Sequence, residues 1–218
     1  MPDSPAHSPY ELVLGDALEV LHPRLRAYFS AIPAGHRGYG EGTFDVVGTP
    51  RRWLWPVLWL LGSQRILFPV WQKNVPFTVT NIATTDAAGR VAVAATRTFR
   101  FPGGERSMVD AITATPTGLV DFLGSPERIE AHLTAIVVNG ELHMSSTVVR
   151  ARLGPLWLRV PAAFAPVVAL TERFDDASDR QRVSVVLSSG LLGKLYEYSG
   201  TFRYSIVGDP PAAEEGSA

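Results

Sequence analysis

From Val75 onward, apolar and polar residues alternate with a period of two in a series of short runs. The runs lie near 75–85, 90–101, 105–115, 117–123, 128–138, 141–153, 166–175, 180–189 and 194–207. Residues 37–48 alternate in the same way around Gly42, Phe44 and Val46. A period of two puts every second side chain on one face, the signature of a half-buried strand. About nine or ten such strands in meander order, without the spacing of βαβ units, predict a mainly β protein. The expected fold is an antiparallel β-barrel of calycin or lipocalin type, or a strongly curved sheet.

Two segments break the pattern. In residues 10–32, Leu12, Leu14, Ala17, Leu18 and Leu21 form a helical stripe that Leu25, Tyr28 and Phe29 resume after His22-Pro23. Pro33 ends this N-terminal helix. In residues 49–72, Thr49-Pro50 predicts a helix start, followed by Arg51-Arg-Trp-Leu-Trp-Pro-Val-Leu-Trp-Leu-Leu61. A helix apolar on all sides is buried or meets lipid. Pro56 is expected to kink it. The segment reads as a tryptophan-rich lid over the barrel end. The other reading is a peripheral membrane contact through Trp53, Trp55 and Trp59, edged by Arg51, Arg52, Arg65 and Lys73.

Two hairpins fix expected partners. Gly103-Gly104 can supply two positive φ angles in a two-residue turn. That turn pairs Val93 with Ala114, Ala95 with Ile112, Arg97 with Asp110, Phe99 with Met108 and Phe101 with Arg106. Asn139-Gly140 pairs Leu133 with Ser146 and Ala135 with Met144. Its expected inner face runs Ile129, Ala131, Leu133, Ala135, Val137, Leu142, Met144 and Val148.

Composition narrows the chemistry. The chain has 218 residues, which fits one barrel-like domain over 10–208 between tails at 1–9 and 209–218. A net charge of −1 offers no global field for nucleic acid. The absence of cysteine excludes thiolate catalysis and cysteine-ligated zinc. No basic stretch followed by an apolar run opens the chain, and no apolar run reaches spanning length. A cytoplasmic protein is expected, with peripheral membrane contact as the variant of that reading.

The first candidate site is the Arg97/Asp110 pair, set among apolar neighbours on its strand face. Burying a charge pair is expensive, so such a pair points to a ligand anchor or to a carboxylate held for acid–base work. A strand face turned to solvent, or a structural staple, is the alternative. Glu172 shares parity with Val168, Leu170 and Phe174, so it is also expected inside, as an acid or base or paired with Arg150. Tyr196 and Tyr198, on one face with Phe202 and Tyr204, suit a pocket wall or a plain core. Phe99, Met108, Trp55 and Trp59 complete the expected ligand-binding set. His132 and His143 lie on the polar face, with His132 expected opposite Thr147, and no third ligand joins them. No metal or cofactor is expected.

An ordered series of short motifs then resembles the domain of unknown function 4166 family. The matching pieces are Gly40-Glu-Gly-Thr-Phe44, Thr98-Phe-Arg-Phe101, Gly118-Leu-Val-Asp-Phe-Leu-Gly124 and Asn139-Gly-Glu-Leu142. They continue with Gly154-Pro-Leu-Trp-Leu-Arg-Val-Pro161, Ala165-Pro166, Glu172 to Asp176, and Gly190-Leu-Leu-Gly-Lys-Leu-Tyr-Glu-Tyr-Ser-Gly-Thr-Phe202. The resemblance covers most of residues 15–205. Similar domains sit behind saccharopine-dehydrogenase-like reductases or at the end of membrane proteins, which implies lipid- or isoprenoid-like chemistry by association. The family brings no established catalytic residues. This chain carries Met144-Ser-Ser-Thr-Val-Val149 where relatives tend to have an arginine-rich strand.

The combined expectation is a barrel that binds a hydrophobic small molecule, with Arg97, Asp110 and Glu172 at its polar end. The alternative is a cofactor-independent isomerase, cyclase or hydrolase in the same cavity, with Asp110 or Glu172 as the acid or base.

Overall fold

The computed structural model describes residues 7–161 and 165–209. Ten antiparallel strands close into a barrel. In chain order they are β1 (His36–Gly48), β2 (Trp71–Thr85), β3 (Val91–Phe101), β4 (Gly104–Thr115), β5 (Gly118–Leu123), β6 (Ile129–Val138), β7 (Glu141–Leu153), β9 (Val167–Asp175), β10 (Arg180–Ser189) and β11 (Gly193–Gly208). Each pairs with its neighbour in sequence, β7 pairs with β9, and β11 returns to β1 to close the ring. The extra strand β8 (Leu156–Arg159) folds back on the far half of β7, outside the ring. Its Leu-Trp-Leu-Arg is too short for periodicity to single it out.

The seam between β1 and β11 is unusually close. A Cβ at Gly42 would stand 2.0 Å from the Thr201 carbonyl oxygen, and one at Gly200 would stand 2.2 Å from that of Thr43. Glycine is therefore required at both positions for the strands to approach and pair.

Bulges change two expected faces. The β1 register shifts between Phe44 and Val46, so Val47 rather than Val46 points into the core. The Asn139-Gly140 hairpin pairs Leu133 with Ser146 and Ala135 with Met144, as its turn type dictates. A bulge at His132/Leu133 then sets His132 against Val148 instead of Thr147, and turns Val149 inward in place of Val148. One inserted residue reverses every side chain beyond it.

The Gly103-Gly104 hairpin turns one residue earlier than its glycines suggest. Phe101 pairs with Gly104, so Pro102 and Gly103 form the turn, and Gly104 takes the positive φ of +113°. Proline's fixed φ suits the first central position of a turn, which draws the turn back onto Pro102. Arg97 consequently pairs with Met108, Ala95 with Asp110 and Val93 with Ile112. The displacement is two residues in register, so the expected face survives while the expected partners do not.

The helices cap the two ends. The N-terminal segment is two short helices rather than one, α1 (Pro9–Leu14) and α2 (Pro23–Phe29), joined by a 3₁₀ turn at Gly15–Val20. Ser8, within the expected tail 1–9, is buried and caps α1 in a reciprocal box with Glu11, while residues 1–6 and 210–218 of the expected tails lie outside the described residues. Leu14, Leu18, Leu21, Leu25 and Phe29 pack on Ile112, Leu119, Leu133 and Leu142, closing one end of the barrel.

At the other end the expected long helix is shorter. A 3₁₀ turn at Arg52–Leu54 leads into α3 (Trp55–Ser63), and Trp71 already begins β2. Pro56 sits in the first turn of α3, where its missing N–H costs nothing, so it starts the helix instead of kinking it. Only Leu58 of α3 is buried. Ile66, Leu67 and Phe68, after the helix, plug this end against Phe44, Phe77, Phe99 and Tyr196. No helix among the described residues is long and apolar enough to cross a membrane.

Candidate functional site

The aromatic plug fills the β1–β2–β3 side of the barrel and the N-terminal helices fill the base. Between them, toward β4–β7 and β9, lies a cavity of about 130 Å³. Its walls are aliphatic, with Ile112, Leu123, Ile129, Leu133, Met144 and Leu170 prominent. Tyr10 and Tyr28 rise from the N-terminal helices, and Ile66 and Leu67 descend from the opposite end.

The polar side chains gather on one wall. Arg97 donates from Nη1 to Asp110 Oδ1 on the next strand. The two are diagonal neighbours, since Met108 stands directly opposite Arg97. Asp121 continues the diagonal on β5, opposite Ile112. Its Oδ1 is buried and has no hydrogen-bond partner. Burial, then the nearby Asp110 charge, hold the Asp121 carboxyl well above the usual aspartate range, with Arg97 acting the other way.

Glu172 faces the same cavity from β9 and accepts a hydrogen bond from Gln181 on β10. Burial pushes this carboxyl up to about 7, against the opposing effects of the Gln181 bond and the Arg97 charge. Arg150 is not its partner: it donates to Glu130 at 3.0 Å. Tyr198, also on the cavity wall, is pushed up to about 12, chiefly by burial, and remains a neutral hydroxyl.

Of the residues singled out from sequence, Arg97, Met108, Asp110, Glu172 and Tyr198 line the cavity together. Phe99 and Tyr196 do not; both are buried in the aromatic plug, with the Phe99 ring 5.3 Å from that of Phe44. Trp55 packs at the edge of that plug, and Trp59 points to solvent with 73% of its surface exposed. Sequence reasoning passed over Asp121 and Tyr28. Asp121 shares parity with Leu119 and Leu123, an inward signal as good as that of Glu172, whereas Tyr28 reaches the cavity only through tertiary packing of α2.

A larger, open groove of about 550 Å³ runs over the outside of the barrel near α2. On its lining Arg24 and Arg203 both pair with Asp179. Among the described residues no group of three or more histidine, aspartate or glutamate side chains is arranged to hold a metal ion.

No solved structure matches this chain. One curated relative is the uncharacterized protein YndH of Bacillus subtilis (strain 168). It is 25% identical over 195 residues, covering 84% of this chain and 91% of that protein. Residues 21–202 match a family described as a domain of unknown function. That span takes in β1 to β10, the first part of β11 and every carboxylate of the cavity, and the chain is a member of the DUF4166 family.

Proposed function

We propose that this protein binds a hydrophobic small molecule of lipid or isoprenoid type in its barrel cavity. The ligand's polar end meets Arg97, Asp110 and Asp121. One observation carries the reading: a cavity with largely aliphatic walls contains a buried carboxyl oxygen, Asp121 Oδ1, with no hydrogen-bond partner. Buried polar groups are almost always satisfied, so an orphan facing a cavity is a group awaiting a ligand.

Electrostatics narrows the head group. Arg97 and Asp110 neutralise each other, and Glu172 and Asp121 add only negative charge when they ionise. A carboxylate or phosphate head would meet excess negative charge in a low-dielectric site. A neutral hydroxyl or carbonyl can accept from protonated Asp121 without that cost.

The cavity volume equals roughly four waters of liquid. A longer ligand needs more room, and outward movement of Ile66 and Leu67, which line the cavity at the α3 end, would provide it.

A second reading, acid–base catalysis on a lipophilic substrate, is favoured by the adjacent Asp110 and Asp121 carboxyls. Burial holds the Asp121 carboxyl well above the usual aspartate range, so it keeps a proton that it could donate to a substrate in the cavity. Isomerisation, cyclisation and hydrolysis are the reaction classes such a pair serves.

The test is native mass spectrometry of protein purified without detergent, followed by extraction and identification of any adduct. A stoichiometric lipophilic adduct that is lost in Arg97→Leu and Asp110→Leu is the expected result. An adduct retained by both folded variants removes the polar anchor, and an empty cavity that takes up no hydroxylated or carbonyl-bearing lipid removes the binding reading.

A further inference from the structure

Three segments far apart in sequence meet at the end of the barrel capped by α3. They are residues 51–63, the tip between β7 and β8, and the turn between β10 and β11. A Cβ built on Gly193 would stand 3.7 Å from Arg51 Nη2, which places the first and third side by side. The second is tied in through Arg128, whose carbonyl accepts from the Arg152 N–H and whose Nε lies 3.4 Å from the Gln64 side-chain oxygen.

All three segments project large apolar side chains into solvent. Trp59 and Leu191 are each 73% exposed and Leu153 is 70% exposed, with Trp53, Leu60 and Leu156 close behind. Single exposed leucines are ordinary, but this many at one end form a docking surface.

The charge carried by these segments is cationic. Every charged residue in 51–73, 150–160 and 190–194 is an arginine or lysine, although the whole chain carries −1. Glu197 pairs with Lys194, and Glu105 and Glu127 lie at neighbouring turns, so Arg51, Arg52, Arg152 and Arg159 carry the excess. A second copy docked by two-fold symmetry would bring these like charges together. An anionic surface would neutralise them, and tryptophan with arginine is the composition that sits at a lipid headgroup boundary.

We propose that this end of the barrel docks on an anionic phospholipid bilayer. Trp53, Trp59, Leu153 and Leu191 enter the headgroup boundary, and the surrounding arginines and lysines meet the phosphates. Each cation near such a surface contributes on the order of 1 kcal/mol, and the apolar tips add to that. Ile66 and Leu67, which line the cavity, lie at this same end, so docking would set the cavity's cap against the bilayer. The docking surface stands whether or not the cavity takes a lipid.

Flotation of the full chain with phosphatidylglycerol/phosphatidylcholine vesicles, against vesicles of phosphatidylcholine alone, tests this. The wild type should float with the anionic vesicles, float less as salt rises, and show a blue shift in tryptophan fluorescence. Trp53→Ser/Trp59→Ser/Leu191→Ser should weaken binding by roughly tenfold or more with unchanged circular dichroism. Arg51→Glu/Arg52→Glu should erase the preference for anionic lipid. Failure of the wild type to float with either vesicle overturns the proposal, as does flotation that both variants leave intact. A concentration-dependent dimer that the triple variant abolishes, without vesicle binding, assigns the surface to a second copy instead.

Discussion

Arg97 and Asp110 form an ion pair along a diagonal of the β3–β4 ladder, with the Asp110 side chain only 8% exposed. Such a pair is costly to bury and more costly to break, because the surviving partner keeps its desolvation cost without its counter-charge. Arg97→Leu is expected to destabilise the fold by about 3–5 kcal/mol, since it leaves both Asp110 and Asp121 without a nearby cation. The double variant Arg97→Leu/Asp110→Leu should recover most of that loss. Urea denaturation of the four proteins in the cycle measures it. A double variant no more stable than Arg97→Leu would show that the pair's partners, not its unpaired charge, set the penalty.

Glu172 makes stability depend on pH in a defined direction. Its folded pKa of about 7 lies above that of an ordinary glutamate, so the folded state holds the proton more tightly than the unfolded chain. Its contribution is complete below the ordinary glutamate range, is lost as pH rises toward 7, and is absent above. The total change is about 3 kcal/mol. Glu172→Gln keeps an acceptor for Gln181 and should remove this share of the slope, leaving that of Asp121, which has the same sign. Equilibrium unfolding at a series of pH values between 4 and 8 reads the difference, and an unchanged slope in the variant would place Glu172 in a wetter site than its burial implies.

Phe99 and Trp59 separate core from surface. Phe99 is fully buried in the aromatic plug, and Phe99→Ala is expected to cost about 3–5 kcal/mol. Trp59→Ser should change stability by no more than about 0.5 kcal/mol, because its ring is already in water. Thermal or urea unfolding of the two variants checks this. A large loss from Trp59→Ser would mean that α3 buries more of its apolar face than Leu58 alone.

The parity of inward residues was legible along the chain, and Arg97, Asp110 and Glu172 all fall on the cavity side as their neighbours predict. Partner identity was less so. Pro102 competes with Gly103-Gly104 for the turn, and the proline's fixed φ wins. Bulges at Asp45 and Thr147 leave no mark in an alternating pattern, so Val47 and Val149 replace Val46 and Val148 inside. Asp121 carried an inward signal but stood alone until β4 and β5 brought it beside Asp110.

Periodicity and turn chemistry, which are local, determined that this chain forms antiparallel strands, the inward parity of each strand up to its bulge, and that helix precedes β1 and β2. Barrel closure was decided elsewhere. It depends on the close β1–β11 seam through Gly42 and Gly200, whose residues are more than 150 positions apart. The cavity is likewise tertiary: it is the space left where the Phe44–Phe77–Phe99 plug and the N-terminal helices fail to meet. The division of the aromatic residues follows from the same closure. Phe99, Tyr196 and Tyr198 alternate alike, and only the volume already filled around each determines which packs into the core and which faces the cavity.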